Sequence, residues 1–213
     1  MRTAVGFTAA GATFIAILAL SEKVSRRWML RAETGRKLAH ISSGILAAVL
    51  PFFLPFPAIA GLGVAFVPFM VASRRLKLFP ILQQAERSTL GEVYFPVGVV
   101  LAAVFVPKTP AYVFGILVMG LGDAFASLVG ERFGRRIYRL TAKKSYVGSA
   151  TMFVTVSVIG FAVLASIGRL TPRTSAGMAL VACALAVEEG VVGGGADNLV
   201  LPVTAALLFR LLV

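Results

Sequence analysis

Cysteine, histidine and tryptophan each occur once in this chain of 213 residues. With Cys183 alone, no disulfide can close within the chain and no cysteine-based metal site can assemble. A single histidine, His40, excludes the usual zinc ligand sets. Charge is also scarce, at 14% of residues against about a quarter in soluble domains. Carboxylates are the rarer sign, 9 against 21 Lys and Arg, for a net charge of +12. No polar stretch is long enough to fold as a separate soluble unit. A nucleic-acid reading module is therefore excluded, and residues 1–213 read as one domain.

What remains is apolar: 58% of residues are hydrophobic and the mean hydropathy is +0.90. The apolar runs are long and do not alternate, so the expected fold class is all-α, a polytopic membrane helical bundle rather than a barrel. About eight spans are predicted, near 4–20, 38–54, 57–72, 93–106, 111–130, 150–167, 176–191 and 199–213. The first run, Val5–Leu20, follows only Arg2 and has no small-residue cleavage site, so it reads as a retained helix. Proline-rich breaks at 50–57, 106–110 and 168–173 separate neighbouring spans.

The basic residues orient this bundle. Sixteen of the 21 lie in the loops after spans one, three and five, including Arg36, Lys37, Arg87, Lys143 and Lys144. The positive-inside rule places those loops in the cytoplasm and both termini outside. All 9 acidic residues, Glu86 and Glu92 among them, fall on or beside the same face. Topology selection acts only weakly on carboxylates, so their clustering points to a functional face. Concentrated positive charge there suits anionic headgroups or a polyphosphate.

Asp123 is the pivotal residue. It lies well inside span five, where an ionised group costs about 2.5–3.5 kcal/mol to insert and normally has a partner and a function. Gly120, Gly122, Ala124, Ala126 and Ser127 around it permit close approach of a helix or ligand. "KKSYVGS" (143–149) sets Lys143, Lys144, Ser145, Gly148 and Ser149 at a helix start, where ammonium groups, free amides and the helix dipole favour phosphate. It is not a Walker A loop. "EEGVVGGGADN" (188–198) offers Glu188, Glu189 and Asp197, oxygen donors of the kind Mg²⁺ prefers. His40 near the start of span two is an acid/base group, a phosphate donor or an interhelical hydrogen bond. Each motif alone has a plainer reading as packing, topology signal or turn. Their convergence on one face points to phosphoryl or nucleotidyl transfer, with Mg²⁺ bridging phosphates.

"GDAFASLVGERFG" (122–134), "KKSYVGSATMF" (143–153), "VE" (187–188) and "DNLVLP" (197–202) resemble the CTP-dependent lipid-alcohol kinases. That family includes phytol, dolichol and a diacylglycerol kinase. "RKLAH" with Gly44, and "GEVYFP" (91–96), look like its earlier blocks, so the resemblance runs from Arg36 to the C-terminus. "KKSYVGS" looks closer to the phytol-kinase pattern than to that of dolichol kinases, which tend to be acidic where this chain has Val147. Gly193–Gly195 stand where phytol kinases are more acidic.

The resemblance implies a multi-pass kinase for a membrane isoprenoid alcohol, with CTP as phosphate donor. It is expected in the plasma membrane with its site facing the cytoplasm. Asp123 is implied as the essential acid, and Lys144, Ser145, Gly148 and Ser149 as holding nucleotide phosphates, with Lys143, Arg36 and Lys37 in support beside Gly122. Asn198 belongs to the last acidic block with Glu188 and Asp197. The expected metal ligands are Asp123, Glu188 and Asp197, and the catalytic group is drawn from Asp123, His40 and Lys144. The sequence leaves the general base and the oligomeric state open. A phosphatidate cytidylyltransferase, a diacylglycerol kinase and a small transporter are the alternatives. The longer acidic signature of the first and the half-repeats of the last are not visible.

Overall fold

A computed structural model of the chain describes residues 1–80, 90–139 and 143–213. Arg87 and Glu86 lie outside the described residues. The described helices are α1 (Arg2–Arg27), α2 (Ala32–Val49), α3 (Phe56–Leu76), α4 (Gly91–Phe105), α5 (Thr109–Leu117), α6 (Asp123–Phe133), α7 (Tyr146–Ser166), α8 (Pro172–Val191) and α9 (Asp197–Leu212). A π turn, Val118–Gly122, joins α5 to α6, so Thr109–Phe133 forms one 25-residue rod. Five helical segments are long and apolar enough to cross a membrane, and Gly91–Phe105 is a shorter apolar helix.

Local sequence sets the helix ends. Pro172 opens α8 behind Thr171, whose hydroxyl accepts from Thr174 N at 3.2 Å while Thr174 Oγ1 accepts from Thr171 N at 2.9 Å. Ser145 caps α7, accepting from Gly148 N at 3.1 Å. Lys77 ends α3 in the left-handed conformation. The 50–57 break is a single 3₁₀ turn, Leu50–Phe52, followed by Pro55.

The fold departs from a purely helical expectation at one point. Ile137–Arg139 and Lys143–Ser145 form a two-stranded antiparallel hairpin, pairing Tyr138 with Lys144 and Arg139 with Lys143. The Ile-Tyr pair favours a strand, but the loop's density of charge masks so short a pattern.

Two apolar cores lie on either side of the rod. Phe114, Met152, Leu164, Met178, Leu201 and Phe209 belong to one, with the Phe114 and Phe209 rings stacked 4.7 Å apart. Ala47, Ile59, Val99, Tyr112, Ile116 and Met119 belong to the other. The rod contributes to both, and 56% of its apolar window is buried against 17% for α1. Leu18, Met70 and Phe79 form a smaller third cluster, while large apolar side chains such as Val64, Val104, Val158 and Leu180 face outward, as a lipid-facing surface requires.

Gly44 of α2 meets Gly120 of the π turn backbone to backbone. A Cβ added at Gly44 would stand 2.8 Å from Gly120 Cα. Lipid tails are as apolar as the helices themselves, so such close packing is a main source of helix adhesion in a membrane. Gly44→Leu is expected to lower the unfolding midpoint in detergent, by the equivalent of about 1–3 kcal/mol for an overpacked contact. An unchanged midpoint would show that the two backbones have room to part.

Candidate active site

The π turn sets Asp123 in place. Its wide turn leaves the Met119 carbonyl available, and His40 Nε2 donates to it at 3.0 Å. Asp123 follows directly, 4% exposed, and its Oδ2 lies 2.5 Å from Lys37 Nζ on α2. Lys37 is 2% exposed, so the pair is held away from water. His40, one turn along α2 from Lys37, brings its Nε2 within 3.7 Å of the same carboxylate oxygen. Its ring stands edge-on to Phe95 of α4, centroids 5.3 Å apart. In the neutral ring this leaves Nδ1 as the proton acceptor.

Further ion pairs extend from this centre. Arg36 grips Glu33 through two hydrogen bonds, at 2.6 and 3.0 Å, and Ser127 donates to the same carboxylate at 3.0 Å. Lys144, on the hairpin, pairs with Glu189 of α8, and Arg74 of α3 pairs with Glu92 of α4. Burial works against the Lys144 ammonium, but the carboxylates of Glu189, Asp123 and Asp197 outweigh it and raise its pKa. Lys144 is therefore a fixed cation at physiological pH. Tyr138 and Ser149 share a hydrogen bond of 2.6 Å that ties the hairpin to α7. Asn198 donates to Gly91 O at 2.9 Å, joining α9 to α4.

Asp123, Lys144 and Asp197, assigned to one face on charge alone, thus lie close enough to act on one another electrostatically. Ser145 and Gly148 are buried where the hairpin meets α7. Gly122 is buried in the π turn against Met152. Lys143 is in β2 opposite Arg139, and its side chain lies outside the described residues. Glu188 lies off the buried stripe of α8, and its Oε1 is buried without a hydrogen-bond partner. Among the described residues no group of three His, Cys, Asp or Glu side chains stands close enough to hold a metal ion. Asp123, Glu188 and Asp197 are accordingly not gathered as a ligand triad.

Sequence reasoning passed over Glu189 as the partner of Lys144, and Lys37 as the direct partner of Asp123. The first was readable. Met178, Ala182, Leu185 and Glu189 follow the helical spacing of the buried stripe on α8, and Glu188 is off it. Among the described residues Glu188 Oε1, Glu189 Oε2, Asn198 Oδ1 and, away from the site, Ser25 Oγ are buried without a hydrogen-bond partner. Buried polar atoms are nearly always satisfied, so the three oxygens of Glu188, Glu189 and Asn198 mark places where a polar ligand, water or ion belongs.

Beside this charged end lies a pocket that is partly open to the surroundings. Arg36, His40, Glu92 and Asn198 line its polar end, and hydrocarbon side chains of α1 to α4 line the rest.

An ionic cluster thus abuts an apolar pocket in a bundle with helices long and apolar enough to cross a membrane. The phytol kinase of Synechocystis sp. is 31% identical over 204 residues, 92% of this chain and 87% of that protein. Phytol kinase 1 of Arabidopsis thaliana, a chloroplastic protein, is 26% identical over 75% of this chain and 58% of its own. An uncharacterised protein of Methanocaldococcus jannaschii is 24% identical over 84% and 93%. No family model matches the chain, and no solved structure does. The class these relatives define is that of kinases that phosphorylate an alcohol. Within it, the chain belongs to the phytol-kinase-like polyprenol kinase family, as the motif resemblance implied.

Breaking the buried pair by Asp123→Asn is expected to destabilise the fold by about 3–5 kcal/mol, because Lys37 is left as an uncompensated buried charge. Adding Lys37→Met should restore most of the loss. Unfolding of the two single variants and the double variant in detergent measures this, and strictly additive losses would show the pair is not coupled.

Proposed function

We propose that the chain is a CTP-dependent kinase that phosphorylates an isoprenoid alcohol of the phytol, geranylgeraniol or polyprenol type at the cytoplasmic face of the cell membrane. The basic loops support that orientation, with eight crossings and both termini outside. The observation that carries the reading is the position of His40. It lines the apolar pocket and also sits 3.7 Å from the carboxylate of the buried Lys37–Asp123 pair. A hydroxyl at the polar end of the pocket is then within the charged cluster while its tail stays in hydrocarbon.

The proposed chemistry is a direct transfer. His40 Nδ1 accepts the hydroxyl proton as the alcohol oxygen bonds to the γ-phosphorus, and the bond from that phosphorus to the β-phosphate oxygen breaks, releasing CDP. Lys144 and Arg36 balance charge on the phosphates, and the positive end of the α7 dipole, with Ser145 and Ser149, lies beside them. Lys37 fixes the Asp123 carboxylate, which orients the histidine. Such transfer depends on positioning and charge more than on covalent chemistry.

The donor set suits Mg²⁺, since the unpartnered oxygens of the 188–198 block, Glu188 Oε1, Glu189 Oε2 and Asn198 Oδ1, are hard ligands and lie near Asp197 in the chain or in the cluster. Mg²⁺ is commonly held by one or two carboxylates together with substrate phosphates, which removes the need for a ready-made triad. Asp197 and Asn198 would hold it, with Asp123 nearby. Its contribution is to neutralise charge on the phosphates.

Purified protein incubated with labelled CTP, UTP or ATP, Mg²⁺ and a panel of lipid alcohols is expected to transfer phosphate to an isoprenoid alcohol, with CTP preferred. His40→Ala is expected to reduce kcat about 10²–10⁴-fold. Absence of transfer to every alcohol from every nucleotide would end the proposal, and pyrophosphate release would reassign the site to nucleotidyl transfer.

A further inference from the structure

We infer that the pocket between α1, α2, α3 and α4 is a blind chamber for a single branched hydrocarbon tail, and that Leu50, Ile59 and Leu62 form the floor that limits tail length. Its use as a substrate chamber rests on the kinase reading, but the geometry does not.

The pocket is polar at one end only. Arg36, His40, Glu92 and Asn198 lie in the opening turns of α2, α4 and α9. Asn198 bonds Gly91 O and His40 reaches Asp123, so this mouth is the charged end of the bundle. Ser43, one turn deeper on α2, is the last hydroxyl along that wall. Beyond it the wall is Phe14, Leu50, Ile59, Leu62 and Val99. Ten residues of helix separate His40 from Leu50, a descent of about 15 Å.

The lining side chains at the deep end are tightly packed. Leu50 is 4% exposed, Ile59 0% and Leu62 4%, all within the packed core beneath. A chamber with one wet mouth and a dry floor fits a lipid with one polar head and one tail, hydroxyl at the mouth. A nucleotide would leave its polar groups unpaired along those walls. A two-chain lipid would need a second apolar channel from the same mouth. The branched methyls of an isoprenoid suit walls of Phe, Leu, Ile and Val better than a straight chain, because close packing rewards matching shapes.

Two measurements test this. A prenyl alcohol with a photoreactive group at its tail end, irradiated with the intact protein in lipid nanodiscs, is expected to label Leu50, Ile59 or Leu62. Labelling confined to outward residues such as Val64 and Val104 overturns the chamber. Separately, Ile59→Ala or Leu50→Ala is expected to raise the kcat/KM ratio of a long polyprenol over geraniol about tenfold by deepening the floor. An unchanged ratio in both variants overturns the floor assignment, as does diacylglycerol competing for the label as well as geranylgeraniol does. Floor labelling in a protein that phosphorylates no alcohol would keep the chamber and remove the kinase. Phosphorylation with labelling elsewhere would do the reverse.

Discussion

The arrangement depends on one buried ion pair, Lys37 with Asp123. Each side chain is almost wholly shielded from water, and either one alone would carry a desolvation penalty of several kcal/mol. Together they pin α2 to the central rod at the depth where His40 also meets it. The pair thus links the two cores of the bundle through a polar contact, and the Gly44–Gly120 contact seals the same seam one turn away. The lysine makes the presence of the carboxylate tolerable and also fixes its direction.

Around that pair the charges alternate: Arg36 with Glu33, Lys144 with Glu189, Arg74 with Glu92. Each of these carboxylates is already matched by a cation. What is left over is oxygen capacity on Glu188, Glu189 and Asn198. An arriving metal–nucleotide complex, bringing cationic metal and anionic phosphates at once, is the kind of ligand that such a nearly neutral lattice accepts without net displacement of charge.

Much of this was readable from the residues. Asp123 stood out because a carboxylate amid Gly and Ala inside an apolar run is costly to insert unless it is paired and used. The Lys and Arg distribution alone placed it on the same face as Lys144 and Asp197. The helical segments followed from long apolar runs bounded by Pro and Gly. Three features were not readable from motif and charge. The π turn at Val118–Gly122 leaves no compositional mark among Val, Met, Gly and Leu. The partner of a buried charge is a tertiary fact, and Lys37 looks like any other topology-setting lysine in a basic loop. The hairpin at Ile137–Ser145 is too short to show a period. The choice of Glu188 over Glu189 was different, since helical spacing from Leu185 held the answer.

The pairing of Lys37 with Asp123 also has a temporal side. The two residues are 86 positions apart, so the ammonium leaves the ribosome long before its counter-ion exists. Until the rod arrives, α2 carries an unmatched charge at the membrane boundary, where a lysine stem lets it reach back to the headgroups. The contact that fixes α2 to the rod can therefore form only once Thr109–Phe133 has been synthesised.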